Sequence, residues 1–187
     1  MTPTLETTHG TRLGKRCDYS GSVSTTPPSK SVEARPVYQD PASCTLVMLV
    51  GPPAVVNPPT TAHTTLTFAV GKVAHVGADS LAVGPLECTA GLLRPLLPRF
   101  ATGQSISLSC RDGAISSAAR LPAGSSAYAG ARGPLTRVDA DALTLGALTC
   151  RIGTGTPNAH AYHAGDAVDI VCRGGSLDRI SPVSTAP

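Results

Sequence analysis

The segment LAVGPLEC at residues 81–88 recurs 62 positions later as LTLGALTC at residues 143–150. The same shift, without a gap, aligns residues 71–121 with residues 133–183 and leaves 14 of 51 positions identical. The identical pairs are Gly71/Gly133, Val76/Val138, Ala78/Ala140, Asp79/Asp141, Leu81/Leu143, Gly84/Gly146, Leu86/Leu148, Cys88/Cys150, Gly91/Gly153, Pro95/Pro157, Gly103/Gly165, Cys110/Cys172, Arg111/Arg173 and Gly113/Gly175. We infer a tandem duplication, because similarity at a fixed period indicates a repeated supersecondary unit.

Each copy has the pattern of β-strands. In the first copy, residues 66–76 and 105–110 combine β-branched residues with alternating apolar positions, and residues 114–120 follow a tight turn. Residues 81–88 are apolar first at 81 and 83 and then at 86 and 88, so the parity shifts across Gly84. The second copy shifts in the same way across Gly146. A parity shift at a glycine within a strand predicts a β-bulge, and bent strands are typical of small barrels.

These patterns predict an all-β fold with two tandem small barrels, OB-like or SH3-like. The barrels are expected over residues 67–121 and 132–187, with a linker over residues 122–131. Residues 1–66 hold nine of the seventeen prolines and many threonines, so they are expected to form an extended or disordered Pro/Thr-rich arm. Two runs in the arm, residues 31–38 and 44–50, have strand-like composition. The arm is either flexible or becomes ordered on a neighbouring molecule.

Three short motifs carry a resemblance to a known family. The first copy has Gly-x-Val near its start, at residues 71–73, and the second has Gly-Asp-x-Val-x-Ile over residues 165–170 and Gly-x-Leu over residues 175–177. This pattern is similar to the bacterial exported β-barrel modules called DUF5666 and, more distantly, to the TOBE-type barrels of transporter ATPases. The first copy departs from it with Gly103-Gln104. The resemblance covers residues 71–183 and implies a barrel fold and an envelope location, with no activity.

The six cysteines are the most informative single residues. Cys88 and Cys110 are 22 residues apart, as are Cys150 and Cys172, and all four share parity with inward-facing apolar residues. One disulfide in each copy is therefore expected, and closing such a loop contributes about 3 kcal/mol in an entropy model. The alternatives are buried free thiols or zinc ligands, although the paired C-x-x-C spacing of a structural zinc site is missing. A third bridge between Cys17 and Cys44 is an open possibility.

Two histidines are weak candidates for a metal site. His160 and His163 lie near Asp166, but a spacing of three residues in a loop fixes no ligand geometry. The first copy has Pro98 and Ala101 at the equivalent positions. Solvated loop histidines are the simpler interpretation, so we expect no metal and no other cofactor.

No catalytic motif stands out in the chain. Asp79 and Asp141 are equivalent under the repeat, which favours turn capping over a pair of catalytic carboxylates. There is no Gly-x-Ser-x-Gly elbow, and the glycine-rich residues 153–156 lack the lysine of a phosphate-binding loop. The sequence therefore predicts that the protein is not an enzyme.

The amino-acid composition indicates the kind of core and the classes of binding partner to expect. Of 187 residues 41% are hydrophobic, but tryptophan is absent, so a core of Val, Leu, Ile and Ala is expected. Charged residues make up 14% of the chain, and the net charge is +3. Arginine (twelve) outnumbers lysine (three), and Ala, Gly, Pro and Thr are frequent. This composition is typical of a high-GC bacterium or its phages. A basic stripe with interleaved aromatic residues is missing, so we expect no nucleic-acid partner.

An even number of cysteines is typical of oxidising compartments. Residues 1–10 lack the basic and then apolar pattern of a signal peptide. The longest apolar run, residues 44–56, is interrupted by Gly51, Pro52 and Pro53 and is too short to span a bilayer. We therefore expect an extracellular, cell-envelope or virion location without a membrane span.

Three functions fit these observations. The first is a non-enzymatic binding or scaffold protein of the bacterial cell envelope or exterior. The second is a structural subunit of a phage particle or filament, in which residues 1–66 bind a protein partner or drive self-assembly by adding a strand to a neighbour. The third is an OB-type binder of nucleic acid or oligosaccharide.

The paired spacing leads to a first testable prediction. Peptide mapping without reduction, on protein from its native compartment, should recover the cross-linked peptides Cys88–Cys110 and Cys150–Cys172. Free thiols at all four positions would contradict the expected disulfides.

Overall fold

A computed structural model describes residues 2–19, 32–52, 64–154, 156 and 159–183. The chain is predominantly β-structure, as the sequence predicts. It divides into two compact units, of which the first comprises Met1–Ala62 with Ser117–Leu121 and the second His63–Ser116 with Pro122–Pro187. The described elements are β1 (Thr4–His9), β2 (Thr11–Leu13), β3 (Arg16–Asp18), β4 (Glu33–Asp40), β5 (Thr45–Gly51), β6 (Leu66–Val76), β7 (Ser80–Val83), β8 (Leu86–Thr89), the 3₁₀ helix η1 (Gly91–Arg99), β9 (Ser105–Arg111), β10 (Ala114–Arg120), β11 (Tyr128–Pro134), β12 (Arg137–Val138), β13 (Ala142–Leu145), β14 (Leu148–Arg151), the 3₁₀ helix η2 (Ala159–Ala161), β15 (Ala167–Arg173) and β16 (Ser176–Pro182).

The first unit is built from the described part of the predicted arm. Strands β4 and β5 pair antiparallel, and they correspond to the two strand-like runs of the sequence, although Ser31 lies outside the described residues. β1 pairs antiparallel with the other edge of β5. Residues Ala118 and Ala119 at the end of β10 complete the unit by pairing in parallel with β4. Val37, Tyr38, Val47 and Val50 are buried in this unit.

The described residues of the arm are thus strands paired with one another. Within the described residues β1 has only β5 as a strand partner, so its outer edge is the one at which a further strand can add. Partner binding or self-assembly through residues 1–66 stays a prediction.

One ion pair of the first unit has a buried carboxylate. Asp40 is only 4% exposed, and it accepts hydrogen bonds from the Ala42 amide N–H at 3.0 Å and from Arg120 Nη1 at 2.9 Å. Burial by itself would raise the pKa of Asp40. The hydrogen bonds from Ser43 and Ala42 and the charge of Arg120 outweigh burial and lower that pKa below its usual 3.8.

In the second unit, the strands of the first copy pair in a closed cycle. β6 pairs with β7, β7 with β8, β8 in parallel with β10, β10 with β9, and β9 again with β6. The second copy repeats this order with β11 and β12 in the place of β6, followed by β13, β14, β16 and β15. The registers agree, since Thr89↔Ala114 recurs as Arg151↔Ser176. The duplication therefore has the same pairing in both copies.

The predicted bulge within a single strand is wrong. Val83 pairs directly with Leu86, so Gly84 and Pro85 form a two-residue hairpin turn between β7 and β8. Gly84 has φ +57° and its equivalent Gly146 has φ +58°. A positive φ at the first central residue is the requirement of a type II′ turn, which glycine satisfies without strain. The parity shift arises because both strands of a hairpin direct their apolar residues into one core.

The two copies do not form separate sheets. β6 of the first copy pairs antiparallel with β11 of the second, so that both belong to one hydrogen-bonded sheet. Two independent tandem barrels are therefore not confirmed. Residues Tyr128 to Ala131, expected to be part of a linker, belong to strand β11. The strand forms because its amide groups find partners on both sides, in β6 and in β15.

The β6–β11 pairing relates the copies by a local two-fold axis. Phe68 pairs with Gly130, which is its own equivalent after a shift of 62 residues. Leu86 likewise pairs with its own equivalent, Leu148. Residues that meet their own counterparts define an isologous interface, the kind seen in symmetric dimers. The two copies of the repeat thus form, within one polypeptide, the kind of interface that two identical subunits form in a symmetric dimer.

The ion pair of the first unit leads to a prediction on pH. Because folding favours the Asp40 carboxylate, its stabilisation is present above the usual pKa of 3.8 and is lost as the pH falls through the lowered folded-state value. Asp40→Asn should lower the free energy of unfolding at pH 7 by about 1–3 kcal/mol. It should also flatten the acid limb of the stability curve measured by chemical denaturation.

Asp18→Asn is the matched control, because Asp18 contacts Arg16 at 3.6 Å in an exposed ion pair. Its effect should stay below about 0.5 kcal/mol. Equal effects of the two substitutions would refute a special role for Asp40.

Candidate functional site

The second unit has an open cleft of about 460 Å³. Its walls come from the end of β6, the β7–β8 turn, the β15–β16 turn and the segment before β11. They include Val70, Gly71, Lys72, Val83, Gly84, Pro85, Ser105, Gly124, Ser125, Ala127, Tyr128, Ala129, Cys172, Gly174 and Gly175. Most of these residues are apolar or glycine, and the volume lies within the range of small-ligand sites.

Tight turns set the walls of this cleft. The β7–β8 turn is held by Gly84, and the β15–β16 turn by Gly174 and Gly175, whose φ values are +57° and +80°. Glycine adopts these conformations without the strain of a Cβ atom. The space over Gly84 is empty, since a Cβ added there would meet no atom within 4 Å.

The position related to this cleft by the local two-fold axis is filled. There the turn glycine is Gly146, and a Cβ added to it would lie 2.6 Å from Thr65 Cγ2. Two hydrogen bonds of 2.8 Å hold Thr65 in place, one from its amide N–H to Asp112 Oδ1 and one from the Asp112 amide N–H to its carbonyl. Thr65 is only 9% exposed. Its methyl group therefore occupies the counterpart of the open cleft.

The cleft is open because the equivalent residues are smaller. Thr65 corresponds to Ala127, and Thr67 corresponds to Ala129. Asp112 corresponds to Gly174, and no hydrogen bond joins Ala127 to Gly174 among the described residues. Loss of two methyl groups and of one anchoring carboxylate turns a packed position into an open one.

Two polar side chains lie on the wall of the cleft. Lys72 of β6 and Ser105 of β9 are directly paired across the two strands, so their Cβ atoms are neighbours. Lys72 is exposed and takes part in none of the ion pairs found in the described part of the chain. At the equivalent positions the second copy has Pro134 and Ala167, which carry no polar side-chain group. The polar pair thus occurs only where the cleft is open.

An aromatic pair borders the cleft. The rings of Tyr128 and Phe68 are edge to face with centroids 5.9 Å apart, and both side chains are more than a third exposed. Phe68 lies over Gly130, where an added Cβ would come within 2.5 Å of the ring. A second, smaller cleft of about 310 Å³ is lined by both rings, and its Arg173 donates to Asp178 at 3.1 Å. The charge of Arg173 is therefore compensated within the fold.

The structure joins all six cysteines in three disulfides. Cys88–Cys110 lies within the first copy and Cys150–Cys172 within the second, with Cα atoms 6.5 and 6.0 Å apart, and all four residues are buried. Cys17 is joined to Cys44, with a Cα separation of 5.5 Å, which the sequence left open. Cys172 also lies on the wall of the cleft, so its disulfide anchors that wall to β14.

The structure does not assemble the weak metal candidates into a site. His163 Nδ1 lies 3.9 Å from Asp166 Oδ2, and the His163 amide N–H donates to the same oxygen at 2.8 Å. His160 lies in η2. No cluster of three or more potential metal ligands is present among the described residues.

The sequence reasoning missed the cleft. Its walls consist of alanine, glycine, valine and proline, which carry no chemical signature of a site. The pairs that shape the cleft, Thr65/Ala127, Thr67/Ala129 and Lys72/Pro134, did not stand out in the sequence, because most equivalent pairs of the repeat differ.

Comparison with known proteins finds no matching family model, no similar curated protein and no similar solved structure. Within the described ranges, no helix is long and apolar enough to cross a membrane.

The difference between the filled and the open position can be tested at the turn glycines. Alanine at Gly84 or Gly146 should cost about 1–2 kcal/mol, because both positions have positive φ. Gly146→Ala should cost a further 1–3 kcal/mol, roughly, because its Cβ would collide with Thr65. Denaturant unfolding of the two variants measures the difference directly. Equal destabilisation would mean that Thr65 does not fill its position.

Proposed function

We propose that this chain is a non-enzymatic binding protein of the bacterial cell envelope or exterior, and that the open cleft holds its ligand. The observation that carries the proposal is the asymmetry between the two equivalent positions. One is filled by the protein's own Thr65, and the other is open and lined mainly by apolar groups. An apolar, open cleft with few convergent polar groups is the usual form of a ligand site.

The proposal includes two OB-like barrels as the scaffold. In each copy the third strand pairs in parallel with the fifth, for example β8 with β10. A simple meander would pair only consecutive strands, whereas a five-stranded Greek-key barrel of the OB type uses non-consecutive neighbours. A helical segment, η1 or η2, connects the third and fourth strands of each copy. These features favour the OB-like alternative over the SH3-like one.

The lining of the cleft favours binding over catalysis. Its ionisable side chains are Lys72 and Tyr128, and its polar hydroxyl groups are those of Ser105 and Ser125. Ser125 Oγ is already engaged with the Pro122 carbonyl at 2.9 Å. A general acid and base pair needs two titratable groups with separated pKa values at the reacting atoms. The cleft offers instead an apolar surface with a polar margin.

The proposed location is supported by the disulfides. Three bridges among six cysteines fit an oxidising environment outside the cytoplasm. The resemblance to exported bacterial barrel modules agrees with that location.

Filling the cleft tests the proposed function. Ala127→Thr, alone and with Ala129→Thr, gives the open position the side chains that fill its counterpart. The neutral fluorophore N-phenyl-1-naphthylamine should bind the wild-type chain with one site per molecule. Its affinity should fall at least about tenfold in these variants, since the space is then occupied.

Ala123→Thr is the control, because Ala123 is an exposed residue that does not line the cleft. It should bind the fluorophore as the wild type does. Retained binding in a folded Ala127→Thr/Ala129→Thr protein, or no binding by the wild type, would refute the cleft as the ligand site.

A further inference from the structure

The polar groups of the cleft narrow the chemistry of its ligand. Lys72 and Ser105 face the same side of neighbouring strands and both lie on the cleft wall. An ammonium group and a hydroxyl group can donate together to one acceptor that carries two oxygens and a negative charge. A carboxylate is the common biological group with this arrangement.

Lys72 is available for such a ligand. It is exposed and forms no ion pair with any carboxylate among the described residues. The Ser105 hydroxyl also has no hydrogen-bond partner in the described part of the chain, in contrast to the Ser116 hydroxyl, which donates to the Ser109 carbonyl. Two donors without protein partners therefore lie side by side at the cleft.

The rest of the cleft is suited to an apolar body. Val70, Val83 and Pro85 provide aliphatic surface, and the Tyr128 ring borders the same space. Burial of an apolar ligand chain against these groups removes apolar surface from water and so favours binding. The second copy supports the pairing of the two features, because its filled position has Pro134 and Ala167 where the open one has Lys72 and Ser105. Lys72 and Ser105 therefore have no polar equivalents at the filled position.

We infer that the cleft binds a small amphipathic carboxylate, with its apolar body against Val70, Val83, Pro85 and Tyr128 and its carboxylate at Lys72 and Ser105. This inference rests on the proposed function, since it names the ligand class of the same cleft. The carboxylate can belong to a free short-chain acid or to the C-terminus of a peptide with an apolar last residue.

Two ligands of equal chain length separate the contribution of the charge to the binding affinity from that of the apolar body. Octanoate and octanamide have the same chain length, but only octanoate carries a negative charge. By titration calorimetry on the full chain, octanoate should bind about tenfold more tightly than octanamide, which is the difference expected for one charge-assisted hydrogen bond. Octanoate affinity should fall as salt is raised, and octanamide affinity should not.

Lys72→Met keeps the aliphatic stem and removes the charge. It should remove the preference for octanoate and leave octanamide binding unchanged. Ser105→Ala should reduce the preference by a smaller factor. Because Lys72 is exposed, the variant should unfold at the same temperature as the wild type, and this measurement shows that its fold is intact.

The local two-fold axis supplies a second and independent test. Thr65→Ala/Thr67→Ala should open the counterpart of the cleft, where Pro134 and Ala167 take the places of Lys72 and Ser105. Octanamide should then bind at two sites per chain, whereas octanoate should keep one tight site. A thermal unfolding curve shows whether this double variant is folded, and the Lys72→Met comparison decides the inference if it is not.

The outcomes distinguish the inference from the proposed function. If octanoate and octanamide bind equally and Lys72→Met changes neither, the cleft binds apolar groups and the carboxylate inference is overturned. If neither ligand binds and the neutral fluorophore also does not bind, the proposed function is wrong as well.

The tripeptide Ala-Ala-Val, with a free or an amidated C-terminus, identifies the source of the carboxylate. Tighter binding of the free peptide than of octanoate assigns the carboxylate to a chain terminus, and the reverse assigns it to a free acid.

Discussion

The pairing of β6 with β11 is the constraint on which the duplicated half depends. On a two-fold axis a residue lies next to its own equivalent. The side chains of the two residues must therefore fit together in the same limited volume. At Phe68 and Gly130 the conflict is resolved by size, because the ring of one lies where a side chain of the other would be. At Leu86 and Leu148 both side chains are fully buried. The axis thus forces some equivalent positions to differ in sequence and lets others remain identical.

That asymmetry accounts for the candidate site. Once two copies of one unit are joined in a single chain, each may change without changing the other. Thr65 fills one of the two equivalent positions, while Ala127 leaves the other open, and the polar pair Lys72 and Ser105 is present only at the open one. A symmetric dimer of a single barrel would have two identical positions. Duplication allows one of them to be filled by the protein's own side chain and the other to stay open for the proposed ligand.

The disulfides compensate for a core of small side chains. The fully buried residues are mainly leucine, isoleucine and valine, and Tyr38 in the first unit is the aromatic residue among the largest of them. Aliphatic side chains bury less area than aromatic rings, so small barrels made from them gain less from burial. Cross-links between Cys88 and Cys110, and between Cys150 and Cys172, restrict the unfolded chain in each copy. In the first unit, the ion pair of Asp40 and Arg120 joins the end of β10 to β4.

The sequence by itself determined the local features, because they depend on neighbours along the chain. The repeat period, the strands at residues 66–76 and 114–120, and the pairing of cysteines at equal spacing all follow from patterns within short windows. The hairpin at Gly84 was predicted as a bulge, because a parity shift alone does not distinguish a bent strand from two strands joined by a turn. Only the tertiary structure decided that β11 pairs with β6, and therefore that an axis passes between Phe68 and Gly130. The cleft depends on that pairing, because Ala127, Gly84 and Gly174 are far apart in the chain and become neighbours only when hydrogen bonds between distant strands bring the two copies together.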